Sequence, residues 1–253
     1  VDEKENMVYT FNIFRFDPRK DPKPYRQEFT IDLGDADKVT VLDALFRIQQ
    51  TQDKNLSFRY SCRLAMCGSC ALVVNGKERL ACKTLVKDVG SGPIHLEPLR
   101  HIPVIKDLTV DLKFLIKRLR KVEPYFIPRS ASPEPAKIKP TSRERKVIGL
   151  NTECIACGSC VSACTMMHWE PEYMGPMGLN RAFCLIADSR DLTGERLARV
   201  AGEKGVYRCH MEFNCTDVCP KHLSPTRGIH HLKRQIFWQG IKNLNPFRRG
   251  KSE

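Results

Sequence analysis

The sequence has no apolar run approaching the roughly 18–20 residues that a membrane-spanning helix needs. A segment that crosses a bilayer is therefore not expected. Its first residues, Val1-Asp2-Glu3-Lys4-Glu5, are acidic and contain no apolar stretch, so a secretory leader is not expected either. Cysteine is missing from the whole interval between Cys82 and Cys154, although the chain has 12 cysteines elsewhere. Without an export signal, clustered thiols stay reduced and hold metal more often than they form disulfides. Two cysteine-bearing regions separated by a long cysteine-free stretch suggest two metal-binding domains. Charged residues make up 28% and hydrophobic ones 42%, a balance that excludes a disordered chain. A length of 253 residues leaves room for two domains, each with its own core.

The net charge of +13 is unevenly placed. Residues 1–105 carry +2, residues 106–150 carry +7, residues 151–220 carry −3 and residues 221–253 carry +7. The excess lies in a connector and a C-terminal tail, where it forms either a solvated face or an attachment to an anionic partner.

The first third reads as β structure. Phe29, Ile31 and Leu33 alternate with polar residues, Tyr9–Phe16 is a second β-rich run, and Pro18, Pro22 and Pro24 mark the turn between them. Thr40 can cap a helix, with Asp43 three residues on, and Val41, Leu42, Leu45 and Phe46 follow at helical spacing. Strand, strand, helix, cysteine loop and hairpin suggest a β-grasp sheet crossed by one helix. Pro103 is expected to open a second helix carrying Ile105, Leu108, Leu112, Leu115, Ile116 and Leu119 on one face, ended by Glu123-Pro124. The proline-rich residues 124–140 are expected to be extended. Helices are expected at 178–188, 193–202 and 225–241. The fold class is thus α+β: a β-grasp domain over 1–105, then a mainly α-helical domain over 106–253 with a basic C-terminal tail.

Cys62, Cys67 and Cys70 form C-x4-C-x2-C, with Cys82 following after eleven intervening residues, the plant-type [2Fe–2S] spacing. Asn75-Gly76 reads as a two-residue hairpin turn. With 74 opposite 77, residue 70 falls opposite 81, so Cys82 lands beside Cys70 as fourth ligand. A zinc knuckle also takes four thiolates, but it pairs two short C-x2–4-C units rather than holding three ligands in one loop.

Cys154, Cys157, Cys160 and Cys164 form C-x2-C-x2-C-x3-C, in which the fourth cysteine serves a second cluster. The complementary run is Cys209, Cys215 and Cys219-Pro220. Crossing the partners gives Cys154, Cys157, Cys160 and Cys219 for a [4Fe–4S] cluster. It leaves Cys164, Cys209 and Cys215, with Glu212 at the middle position, and three thiolates favour [3Fe–4S]. Cys184 lies among apolar neighbours and reads as a small buried hydrophobe. His95, His101, His168, His222, His230 and His231 show no repeated metal spacing.

The order of these cysteine groups, with Gly175-Pro-Met-Gly178, Asp188-Ser-Arg190 and Cys209-His210, strongly resembles the iron–sulfur subunit of succinate dehydrogenase and fumarate reductase over nearly the whole chain. The resemblance implies an electron route from the covalent FAD of a flavoprotein partner through [2Fe–2S], [4Fe–4S] and [3Fe–4S] to a quinone. It implies membrane-anchor subunits, with or without haem, and a place in the tricarboxylic acid cycle and respiratory chain. No acid–base catalyst for succinate oxidation is then expected on this chain. By motif position Trp169 and His210 match residues that line the family's quinone pocket; core packing is the alternative for both. The family often has Pro and a small hydroxyl residue after the Cys164 position, where Thr165 and Met166 stand here. It often has an aliphatic residue where Glu212 stands. Glu212 is read as a ligand for a fourth iron, as part of a proton path, or as a solvent-exposed side chain. The helix over Ile229, Leu232, Ile236, Ile241 and Leu244, with basic residues opposite and Pro246–Lys251 beyond, suits an anionic membrane surface. A peripheral position on the cytoplasmic face of a prokaryotic membrane is expected, ahead of the matrix side of the mitochondrial inner membrane. Fumarate reduction is the alternative direction. A soluble ferredoxin-type shuttle would leave the basic segments without use. A basic zinc protein on nucleic acid would need stacking aromatics and a recognition helix that the sequence lacks, so no nucleic-acid partner is expected.

Overall fold

The structure is a computed structural model that describes residues 8–34, 37–90, 92–130 and 138–244. Its contacts divide the chain into two compact units. The first runs through Leu115 and also takes Ile155–Ala163 and Val218–Lys221; the second holds Ile116–Cys154, Cys164–Asp217 and the residues from His222 on.

The first unit is a five-stranded sheet with one helix. Strands β1 (Val8–Arg15) and β2 (Tyr25–Asp32) are antiparallel, and the prolines of residues 18–24 lie in the turn between them. Helix α1 (Val41–Thr51) follows. Strands β3 (Ala71–Val74), β4 (Lys77–Leu80) and β5 (Ile94–Glu97) complete the sheet in the order β2-β1-β5-β3-β4, with β1 and β5 parallel. The period-2 alternation of β1 puts Tyr9, Phe11 and Ile13 on the buried face, where they join Leu42, Leu45 and Ile48 of α1 in one core. Thr40 and Asp43 form the expected capping box, each side chain accepting the other's backbone N–H.

Arg15 continues the buried face of β1. Its charge is matched by Asp107 at 3.0 Å and Asp53 at 2.5 Å. This pairing explains a departure from the sequence pattern. Pro103 opens no helix. Residues 104–110 instead form a short hairpin, β6 (Val104–Lys106) and β7 (Thr109–Val110), turned at Asp107 with φ +46°. The Asp107 carboxylate accepts from Arg15 and from the N–H groups of Phe16 and Ser57. Such a partner set outweighs helical apolar spacing, and it leaves Ile105 46% exposed. The helix, α2, runs only from Lys113 to Lys121, with Leu115 buried and Ile116 exposed, and the boundary between the units falls within it.

The second unit is helical: α3 (Arg143–Ile148), then, past the first-unit helix α4 (Ser159–Ser162), α5 (Met166–Trp169), α6 (Gly175–Ile186), α7 (Thr193–Val200), α8 (Asn214–Asp217) and α9 (Pro225–Leu244). Nearly every residue of α6 is buried, and it packs on α7 and α9. Arg196 of α7 is itself buried, paired with Asp191, and donates to the carbonyls of Val122, Glu123 and Tyr125. The stretch after α2 is extended as expected: Ile127 and Arg129 exchange backbone bonds with Leu192 and Arg190. Residues 131–137 of that expectation, and Pro246–Lys251 of the basic tail, lie outside the described residues. No helix among the described residues is long and apolar enough to cross a membrane.

Candidate iron–sulfur centres and the recess beside them

The hairpin register is the one read from Asn75-Gly76. Val74 pairs with Lys77, and the Ala81 N–H donates to the Cys70 carbonyl at 3.1 Å. Cys82 therefore follows directly on the residue facing Cys70. The loop before it carries Arg63 and Ala65 at positive φ, +57° and +56°. Alternating handedness of this kind turns successive N–H groups to one side, as in anion-binding nests. The result is five backbone donors on sulfur. Leu64, Met66 and Cys67 donate to Cys62 Sγ at 3.3–3.4 Å, Ala65 to Cys82 Sγ at 3.3 Å and Ser69 to Cys67 Sγ at 3.4 Å. Hydrogen bonds led by Ser69 pull the Cys67 thiol down to about 6, while burial pushes Cys70 up to about 12. A donor set of four thiols, one already acidic and one that gives up its proton only to a metal, fits a cluster. Arg63 lies over the rings of Phe46 and Tyr60, 4.9 and 5.6 Å from their centroids, and ties the loop to α1. Leu64 and Met66 stand exposed at its tip.

Cys157, Cys160 and Cys219 also lie in the first unit. Burial raises the Cys157 thiol, and the charge of Cys219 adds to the rise. Ala156 and Gly158, at φ +52° and +86°, repeat the alternation of the first loop. Cys154 is exposed and stands just ahead of this segment. Ser162 holds the segment in place: its hydroxyl donates to the buried carboxylate of Glu78 at 2.7 Å and accepts from the Arg100 N–H at 2.8 Å.

In the second unit Cys164, Cys209 and Cys215 converge on a recess of about 330 Å³ of empty space. Burial pushes Cys164 up to about 11, with Cys215 and Cys209 contributing. Met211 and Phe213, at φ +60° and +65°, give this loop the same alternation. No fourth cysteine lines the recess among the described residues; Cys184 is 4% exposed, and burial raises it to about 11. Burial raises the Cys164 and Cys215 thiols, and the three converging cysteines fit a cluster with three ligands, since a metal favours the thiolate form.

Met166, His210 and Glu212 line the recess, and His210 and Glu212 are exposed. Trp169 is not among the lining residues and is 73% exposed, its ring against His168. Core packing is therefore excluded for both His210 and Trp169. The Glu212 carboxylate accepts from Thr165 Oγ1 at 2.6 Å and Asn214 Nδ2 at 3.3 Å. Sequence reasoning missed Tyr173, Thr226 and Lys233. Tyr173 is buried in the recess, Thr226 sits 3.1 Å from Cys215 Sγ, and Lys233 Nζ donates to the Cys209 carbonyl at 2.6 Å. A tyrosine or threonine far from any cysteine motif carries no spacing signal that could have found it.

Two family models match the two cysteine regions: a 2Fe-2S iron-sulfur cluster binding domain over residues 10–117 and a 4Fe-4S dicluster domain over residues 151–223. The mitochondrial succinate dehydrogenase (ubiquinone) iron–sulfur subunit 1 of Oryza sativa subsp. japonica is 41% identical over 229 residues, covering 89% of this chain and 81% of the relative. The succinate dehydrogenase iron–sulfur subunit of Paracoccus denitrificans is 38% identical over 236 residues, covering 92% and 90%. This chain belongs to the succinate dehydrogenase iron–sulfur subunit family. A solved chain of the Mycobacterium smegmatis Sdh1 complex in the apo form superposes with a TM-score of 0.83 at 26% identity, covering 93% of this chain and 98% of that one. The chain is an electron-transfer iron–sulfur subunit of succinate dehydrogenase and part of that complex. Its cofactors include a [2Fe–2S] cluster and those of a 4Fe–4S dicluster domain.

Proposed function

We propose that Cys62, Cys67, Cys70 and Cys82 hold [2Fe–2S], that Cys154, Cys157, Cys160 and Cys219 hold [4Fe–4S], and that Cys164, Cys209 and Cys215 hold [3Fe–4S]. Clusters bound there take and release electrons singly, which divides the pair that a flavin yields. The observation that carries this reading is the convergence of three cysteines, without a fourth among the described residues, on one recess that His210 and Glu212 line. A quinone accepting electrons at that end would find His210 as a hydrogen-bonding group and Trp169 as an exposed indole donor. Exposed Leu64 and Met66 suit docking of the FAD-bearing subunit at the [2Fe–2S] loop. The outer half of α9 exposes Phe237, Trp238 and Ile241 beside basic residues, which suits anchor subunits and an anionic membrane surface. The side chains of Lys242 and Leu244 lie outside the described residues. The protein would then sit peripherally on the cytoplasmic face of a prokaryotic membrane, its β-grasp part (1–105) toward the flavoprotein and its helical part (106–253) toward the quinone. The Glu212 carboxylate, engaged by Thr165 and Asn214, supports a role in holding together the two segments that carry Cys164 and Cys215.

Redox-titrated EPR with iron and sulfide analysis of the purified complex tests the assignment. An oxidised [3Fe–4S] signal is expected in the wild type and in Glu212→Ala. A signal seen only in Glu212→Ala would make Glu212 a ligand to a fourth iron instead. Truncation at Gly240 should release the protein from membranes at moderate salt; salt-resistant attachment would count against the role of α9.

A further inference from the structure

The three-thiol site has a feature that cluster ligation alone does not require. Thr226 is 1% exposed at the start of α9, and its hydroxyl lies 3.1 Å from Cys215 Sγ. Thr216 Oγ1 donates to Thr226 Oγ1 at 3.1 Å, and Ser224 Oγ lies 3.4 Å from Thr216 Oγ1. Because Thr226 accepts from Thr216, its own proton is free for the sulfur, and an iron-bound thiolate can only accept. The hydroxyls of Ser224, Thr216 and Thr226 thus form a chain polarised toward Cys215, in which each bond strengthens the next.

We infer that Thr226 is a positioning residue that raises the reduction potential of the cluster held by Cys164, Cys209 and Cys215. The physical reason is charge. One-electron reduction adds negative charge that is shared with the sulfurs, and an O–H donor in a dry site stabilises the reduced form more than the oxidised one. Apart from these hydroxyls, burial opposes that charge. The inference rests on the [3Fe–4S] assignment proposed above.

The test is a redox titration of the [3Fe–4S] EPR signal in the purified complex for Thr226→Val, Thr226→Ser and Thr216→Val. At the wild-type midpoint, Thr226→Val should lower the reduced-to-oxidised ratio severalfold. Thr226→Ser, which keeps the hydroxyl, should titrate near wild type. Thr216→Val should shift in the same direction by less, because it removes only the polarising donor. A wild-type midpoint in Thr226→Val would overturn the inference. If Thr226→Val does not assemble, Thr216→Val decides alone, and a wild-type midpoint there overturns it. A wild-type complex without any [3Fe–4S] signal would instead overturn the cluster assignment.

Discussion

Gly68 sits between Cys67 and Ser69 with φ +73°, and a Cβ there would lie 2.6 Å from the Cβ of Cys157. No side chain fits, so the loop proposed to hold one cluster touches a proposed ligand of the next through bare backbone. Gly34 offers a control, since it has φ +61° and nothing within 4 Å of the same position. Gly68→Ala should therefore lower iron and sulfide per chain, while Gly34→Ala leaves both unchanged. Equal iron contents would show that the contact is dispensable. Arg15 and Asp107 make a second residue-scale prediction, because their side chains are only 7% and 2% exposed. Removing one partner leaves the other charge buried, at a cost of about 3–5 kcal/mol. Asp107→Ala should lower the unfolding midpoint strongly; a loss under about 1 kcal/mol, the range of a surface pair, would contradict the burial.

Helix α1 shows how far local chemistry carries an element. Its capping box, its acidic first turn and its apolar face are all legible in the sequence, and all are present. Thr40→Ala should cost about 1 kcal/mol by leaving an N-terminal donor without its acceptor, measurable by denaturant titration, with Thr40→Ser near wild type. The hairpin at Asn75-Gly76 was equally legible, because a two-residue turn sets the register without help from distant residues. Helix α2 was not. The apolar spacing from Ile105 to Leu119 reads as one helix, yet Arg15, more than ninety positions away in the chain, draws Asp107 into a turn. A contact of that span leaves no periodic trace.

At the scale of the whole molecule, acid should act in two stages. Burial against Phe183, whose ring centroid is 5.3 Å away, holds His231 below the ordinary histidine value. The unfolded chain binds that proton more readily, so stability falls as pH drops below about 6.5. The Arg190 guanidinium holds the Asp188 carboxyl below its usual range, so a further loss should follow below about 4. Thermal unfolding of the complex between pH 8 and pH 3 should show both stages, and His231→Phe should remove only the first. An unchanged upper stage in that variant would assign it to another group.

Chain order alone determined the ligand sets expected here, because cluster ligation depends on spacings of two to four residues, which short loops impose locally. In the proposed assignment the twelve cysteines divide into two sets of four, one of three and the buried Cys184. The same local logic yielded the β-grasp order and the helices α6, α7 and α9. Tertiary structure decided what surrounds the sulfurs. Thr226 meets Cys215, and Glu78 meets Ser162 across 84 positions of chain. It also decided that His210 and Trp169 face outward. Those outcomes depend on which buried polar group finds which partner once the helices and strands have packed, and that choice is made in space rather than along the chain.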